Sequence, residues 1–129
     1  MLFRSTGDAE GALDAIERAE RLYREAMGTG GEAEVWRAAL HGWALLGTGR
    51  IDEALERAAS AVTVGRDRGL RWGLPTALRA LGMVRAAAGD PEGATEAFEE
   101  GVQVARETGS AFELGRLERS RNEALVEAS

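Results

Sequence analysis

Residues 81–98 read LGMVRAAAGDPEGATEAF, a pattern typical of a helix end, a tight turn and a new helix start. Asp90 followed by Pro91 is the usual order of an N-cap and a first helical position, and Gly89 is the residue type that often closes the preceding helix. After the turn, apolar residues recur at intervals of three and four, which predicts one buried helical face. These residues are Ala94, Ala97, Phe98, Gly101, Val102 and Ala105. The stretch therefore predicts two helices joined by a short turn.

The same pattern recurs along the chain with a period near 40 residues. Three segments begin with glycine and end with alanine: residues 7–12 (GDAEGA), 49–54 (GRIDEA) and 89–94 (GDPEGA), with starts 42 and 40 residues apart. The upstream half recurs as well, because residues 41–42 (HG) precede the second copy as residues 81–82 (LG) precede the third. A period of this length predicts a fold built from stacked copies of one unit.

Six helices are predicted from this repeat, and strand signals are poor because isoleucine occurs only twice and no segment alternates. The predicted helices cover residues 8–27, 32–48, 51–68, 72–88, 91–108 and 110–127. Glycines stand where helices close in a left-handed conformation, at Gly28, Gly49, Gly69, Gly89 and Gly109. Ser110 with Glu113 three residues later predicts a capping box at the last helix. We therefore predict a single all-α domain over residues 1–129.

The third copy resembles the tetratricopeptide repeat. Leu81, Gly82, Gly89, Ala94 and Phe98 match its small residue at the helix crossing, its turn glycine, its alanine at the closest approach and its large apolar residue. The period of 40 residues, rather than about 34, is similar to the longer variety found in the helical domains of LuxR-type bacterial regulators. The resemblance implies antiparallel helix pairs stacked as a short right-handed α-solenoid. It implies little about function, because this fold serves many unrelated partners.

The resemblance also implies that the first helix of each pair lines a concave groove. The groove-facing positions would be Trp36, Ala39, Trp43 and Leu46, then Thr76, Arg79, Met83 and Ala86, and finally Arg116, Arg119 and Glu123. Tryptophan and arginine are enriched at the centres of protein interfaces. The candidate binding residues are Trp36, Trp43, Leu46, Arg79, Met83, Arg116 and Arg119. Two alternatives stay open at this point: the tryptophans fill a core left roomy by alanine and glycine, or they lie in a subunit interface.

The charge of the chain argues against nucleic acid or an anionic membrane as the main partner. It has 16 basic and 22 acidic residues, a net charge of −6, and every basic residue is arginine. Lysine chemistry such as a P-loop or a Schiff base is therefore excluded, and the absence of cysteine excludes thiolate metal sites. The first residues contain no apolar signal region, so we expect a cytoplasmic protein.

No catalytic or metal-binding pattern is present. The single histidine, His41, is expected to be a neutral core residue with one local hydrogen bond, and a metal would need further ligands. Residues 28–33 (GTGGEA) distantly match a dinucleotide fingerprint, but a helix rather than a strand precedes them, so they are interpreted as a linker. We expect no enzyme activity and no cofactor.

The sequence predicts an interaction module that binds a protein or peptide partner, for which the arginines suggest acidic character. An alternative is a structural homo-oligomerisation domain, and a weaker one is a small-ligand sensor. In the repeat register the first and last helices lack partners. The last helix is expected to be a polar cap through Glu113, Arg116, Glu118, Arg119, Arg121 and Glu123. The first is expected to form a homodimer through Ala12, Leu13, Ile16, Leu22, Tyr23 and Met27.

Overall fold

The computed structural model describes residues 6–27 and 31–128, and over this part of the chain it contains six helices and no strand. The helices are α1 Thr6–Met27, α2 Glu32–Gly47, α3 Ile51–Asp67, α4 Leu74–Ala87, α5 Pro91–Thr108 and α6 Ala111–Ala128. The all-α class and the six helices are thus confirmed, with bounds within two residues of those predicted. The start of α4 is later than predicted because residues 71–73 form a turn, and Pro75 lies in the first helical turn.

Each helix packs against the next one along the chain, and α4 also packs against α2 and α6. The α1–α2 pair is antiparallel, since Glu17 reaches His41 whereas Tyr23, later on α1, lies beneath Arg37, earlier on α2. Helix α4 contacts α2, α3, α5 and α6, and every residue from 74 to 82 is buried. We call the surface shared by α2, α4 and α6 the even-helix face. No helix among the described residues has the length and apolar character needed to cross a membrane.

The turns follow the glycine pattern of the sequence. Gly49, Gly69, Gly89 and Gly109 have φ angles of 80°, 65°, 84° and 73°, a left-handed conformation that only glycine adopts at little cost. The fifth predicted position, Gly28, lies outside the described residues. At the start of α5, the Asp90 carboxylate accepts a hydrogen bond from the backbone N–H of Gly93 at 2.9 Å, as the N-cap interpretation predicts.

Two crossing glycines, Gly42 and Gly82, occupy equivalent places in the repeat but have different surroundings. A Cβ atom on Gly82 would lie 2.7 Å from Cζ of Phe98, so the phenyl ring fills the space that the missing side chain leaves. A Cβ atom on Gly42 would lie 3.5 Å from the Cβ of Ala58, which is an ordinary van der Waals contact. Phe98 is 0% exposed and stands 40 positions after Ala58. The close glycine–aromatic contact is therefore specific to the α4–α5 pair.

This difference gives a matched pair of substitutions. Gly82→Ala should lower the free energy of unfolding by about 1–3 kcal/mol, because the new methyl group overlaps the Phe98 ring. Gly42→Ala should leave stability unchanged or raise it by up to about 1 kcal/mol through better helix propensity. Urea denaturation followed by circular dichroism measures both. Equal effects of the two substitutions would contradict the packing described here.

Candidate functional site

A buried arginine lies at the centre of the even-helix face. Arg79, in the middle of α4, is 8% exposed, and its guanidinium carbon lies 4.2 Å from the centroid of the Trp43 ring on α2. Trp43 itself is 4% exposed. The position follows from the packing, since α4 is covered on several sides and its side chains have little access to water. The cation–π contact stabilises the guanidinium against the indole ring.

The donors of this pair have no acceptor. Nε and Nη2 of Arg79 and Nε1 of Trp43 are buried, and no acceptor in residues 6–27 or 31–128 lies within hydrogen-bonding distance of them. A buried donor without an acceptor costs about 1–3 kcal/mol of desolvation. Three such donors on two neighbouring side chains therefore form an energetically unfavourable site that is rich in hydrogen-bond donors.

The charges around Arg79 add to this cost. The pKa of Arg79 is lowered to about 10, mainly by burial and next by the positive charge of Arg116; the carboxylate of Glu113 acts in the opposite direction, and Arg119 lowers the pKa by a smaller amount. Arg116 and Arg119 come from α6, on the other side of α4 from Trp43. Among the described residues, Glu113 thus offsets the charge of Arg79, while Arg116 and Arg119 add to the repulsion.

The structure corrects the predicted role of Glu113. This residue was expected in a capping box and on the solvated side of the last helix, but it is only 6% exposed. Ser110 Oγ accepts from the N–H of Glu113 at 3.2 Å, so half of the box is present. The Glu113 carboxylate instead accepts from the hydroxyl of Thr76 at 3.3 Å and lies 3.6 Å from Nη1 of Arg116. It turns inward because α6 packs on α4, which places Thr76 beside it.

The predicted binding residues fall into separate groups. Trp43 and Arg79 are in contact, and the charges of Arg116 and Arg119 act on them. Met83 is half-buried, one turn from Arg79 on α4, and packs against the core cluster that contains Trp43. The structure does not bring Leu46 to this site, because it packs with Leu13, Ala44 and Leu45 in the cluster nearest α1.

Trp36 lies apart from the Arg79 site and belongs to an exposed apolar strip. It is 40% exposed, and a Cβ atom on Gly73 would lie 3.0 Å from its Cδ1, so it packs beside the turn that holds Trp72. The Glu32 carboxylate fixes that turn by accepting from the N–H of Gly73 at 2.6 Å. Trp72 is 61% exposed.

Phe112 stands 40 positions after Trp72 and is 71% exposed, while Leu40, one turn after Trp36, is 41% exposed. We call these four exposed apolar residues, Trp36, Leu40, Trp72 and Phe112, the apolar rim. Our sequence analysis did not include Leu40, Trp72 or Phe112 among the binding residues. The recurrence of aromatic residues at 72 and 112 was the available signal for two of them.

A second polar cluster connects α1 to the helices after it. His41 Nδ1 accepts from Nε of Arg57 at 3.0 Å, and its Nε2 lies 2.9 Å from Glu17. Arg57 also donates to Glu20, which is 8% exposed, at 2.5 Å. The expected single local hydrogen bond was therefore wrong, since His41 has two partners distant in sequence. Within the described residues, no group of three or more histidine, cysteine or acidic side chains could hold a metal ion.

Comparison with known proteins identifies no relative. No protein-family model, curated protein or solved structure matches the chain. The function of the site is therefore argued from its own chemistry.

Replacing the buried charge should stabilise the free protein. Arg79→Met keeps the length and apolar stem of the side chain but removes the buried guanidinium and its unpaired donors, so we expect the free energy of unfolding near neutral pH to rise by about 1–3 kcal/mol. The lowered pKa of about 10 means that the folded wild-type protein releases a proton more readily than the unfolded chain. The wild type should therefore gain stability relative to Arg79→Met as the pH rises above 10.

Denaturation of both proteins at neutral and alkaline pH measures this difference. Arg119→Met is the matched control, because Arg119 is exposed and its replacement should have a small effect. A clear loss of stability in Arg79→Met at neutral pH would mean that the contacts of Arg79 in the free protein outweigh its desolvation.

Proposed function

We propose that the even-helix face binds a protein or peptide segment that carries acidic groups. The observation that carries this proposal is the buried guanidinium of Arg79 beside Trp43, whose pKa is lowered mainly by burial and also by the positive charges of Arg116 and Arg119. The chain as a whole has a net charge of −6, so a positive cluster of this kind is a local exception. An acidic partner would relieve the repulsion, and the surrounding negative charge would disfavour non-specific contact with other polyanions.

The proposed fold for this module is a short right-handed solenoid of tetratricopeptide-like helix pairs. The packing of α4 against both α2 and α6 supports it, because these are the first helices of the predicted pairs and would line one face of the stack. Helices α1, α3 and α5 pack, within the described residues, only against their neighbours in the chain. The even-helix face would then be the concave groove.

The apolar rim supports a protein or peptide partner rather than a free ion. Trp36, Leu40, Trp72 and Phe112 offer exposed apolar area, and the guanidinium carbon of Arg116 lies 5.3 Å from the centroid of the Phe112 ring. Exposed tryptophan and arginine together are the composition that dominates binding energy in protein interfaces. A segment with both apolar and acidic side chains would complement this surface.

Homo-oligomerisation through α1 is the alternative proposal. Leu22 is 65% exposed and supports it. The other described residues of the predicted interface face the protein more than solvent: Leu13 is 2% exposed, Ala12 and Ile16 are half-buried, and Tyr23 is covered by Arg37 at 3.6 Å. Met27 lies outside the residues whose side chains are described. Light scattering at increasing protein concentration tests this alternative.

The main proposal predicts charge-dependent peptide binding. An acetylated, amidated peptide of alternating glutamate and leucine should bind more tightly than the same peptide with glutamine in place of glutamate, and its affinity should fall as salt rises. Replacing Arg116 and Arg119 together by alanine should reduce the affinity about tenfold and flatten the salt dependence. Replacement of Arg106, an exposed arginine of α5, should change neither. Isothermal titration calorimetry at several salt concentrations measures all three.

The contribution of the rim is tested separately. Trp72→Ala should weaken peptide binding by about 2 kcal/mol if the ring is covered by the partner, whereas Leu22→Ala on α1 should not. Trp43→Ala is unsuitable for this purpose, because Trp43 is core and its removal should cost about 3–5 kcal/mol of stability. Peptide binding that is indifferent to glutamate and to both arginines would contradict the proposed function.

A further inference from the structure

We infer that the even-helix face contains one specific binding site for a single carboxylate, which we call the carboxylate site. It is formed by the Nε–Nη2 edge of Arg79, with the indole N–H of Trp43 as an additional donor. This inference deepens the proposed function and rests on it for the source of the carboxylate. It assigns different roles to the arginines of the face. Arg79 would bind one acidic group directly, whereas Arg116 and Arg119 would attract the acidic segment through their charge.

The identity of the free donors points to a carboxylate. Nε and Nη2 lie on the same edge of the planar guanidinium, and this edge presents two parallel N–H groups. A carboxylate has two oxygens at the matching separation and can accept both hydrogen bonds at once. Both donors of this edge are buried and have no acceptor in the described chain. The guanidinium carbon lies over the Trp43 ring, 4.2 Å from its centroid, and this contact uses neither donor in a hydrogen bond.

The protein's own acid does not occupy this edge. Glu113 accepts from Thr76 and lies beside Arg116, and it is not within hydrogen-bonding distance of the buried donors of Arg79. Arg79 is more than nine-tenths buried, at 8% exposure, so a ligand oxygen would bind to its guanidinium in a largely desolvated environment. In such an environment a charge-assisted hydrogen bond is stronger than at the surface.

Because these donors are buried, a carboxylate can reach them only if neighbouring side chains move. Met83 lies one turn from Arg79 on α4 and is half-buried. Its unbranched side chain has three rotatable bonds and adapts easily to a new neighbour. A small carboxylate such as formate is therefore the right first probe, because it needs the least space.

The experiment uses Trp43 as its own reporter. The chain has three tryptophans, so the variant Trp36→Phe/Trp72→Phe retains only Trp43, at the proposed carboxylate site. Sodium formate should change the fluorescence of this variant saturably, with a dissociation constant in the millimolar range, and should raise its melting temperature. Sodium chloride at the same ionic strength should do neither. A formate titration that matches the chloride titration would overturn the inference, including the case in which the site simply holds water.

Arginine-to-lysine substitutions distinguish the effect of the paired guanidinium N–H groups from the effect of the positive charge. Arg79→Lys keeps a positive charge but loses the paired N–H groups, and it should weaken formate binding at least tenfold. Arg106→Lys is the matched control, because Arg106 is an exposed arginine of α5, and it should leave formate binding unchanged. Trp43→Phe keeps an aromatic ring under Arg79 but removes the indole N–H, and it should weaken formate binding several-fold as measured by the shift in melting temperature. Formate binding by Arg79→Lys equal to that of the parent protein would overturn the inference.

Two peptides then identify the source of the carboxylate. One has a free C-terminus and no acidic side chain, and the other is amidated and contains a single internal glutamate. Either peptide should bind more tightly than the same peptide without a carboxylate, and this difference should be lost in Arg79→Lys. That result would support the carboxylate site, and the peptide that binds would identify the natural source of the carboxylate.

The results also separate this inference from the proposed function. The acidic peptide could bind in a way that depends on Arg116 and Arg119 while formate has no effect. This result would contradict the carboxylate site and support the proposed function. Saturable formate binding without peptide binding would support the carboxylate site and contradict the proposed function.

Discussion

The burial of α4 is the constraint on which the rest of this structure depends. Four other helices pack against it, and its residues from 74 to 82 have little contact with water. The closest of these contacts is the Phe98 ring against Gly82, which lets α5 approach α4 where any side chain would overlap the ring. Arg79 lies one turn before that glycine. The same close packing that builds the core therefore also encloses a charged side chain.

The enclosed charge is the feature that distinguishes the even-helix face from an ordinary helix surface. An arginine normally extends its apolar stem along a surface and places its guanidinium in water. Arg79 instead lies over the Trp43 ring, and its Nε–Nη2 edge has no hydrogen-bond acceptor among the described residues. Buried groups of this kind reduce stability, and perturbed groups in a protein are often associated with binding sites. The unpaired buried donors of Arg79 lower the stability of the free protein, and the same donors are the basis of the proposed affinity for a carboxylate.

The two ends of the helix stack are held differently from its middle. Helix α1 packs its backbone only on α2 among the described helices, and its connection to α3 passes through Arg57, which bonds both His41 and Glu20. Helix α6 packs on α4 and α5 and is anchored by Leu117, which is 0% exposed, and by the inward-turned Glu113. Polar side chains thus contribute to the attachment of both end helices.

The sequence by itself determined the six helices, their glycine turns and the N-cap at Asp90, because these depend on local backbone conformation and on the spacing of apolar residues. It also placed Trp43 and Arg79 among the candidate residues. Only the tertiary structure decided that Arg79 is enclosed against Trp43, that Glu113 turns inward to Thr76, and that Trp72 and Phe112 stay exposed. These outcomes depend on which helices meet on each side of α4, and periodicity within one helix carries no information about its neighbours.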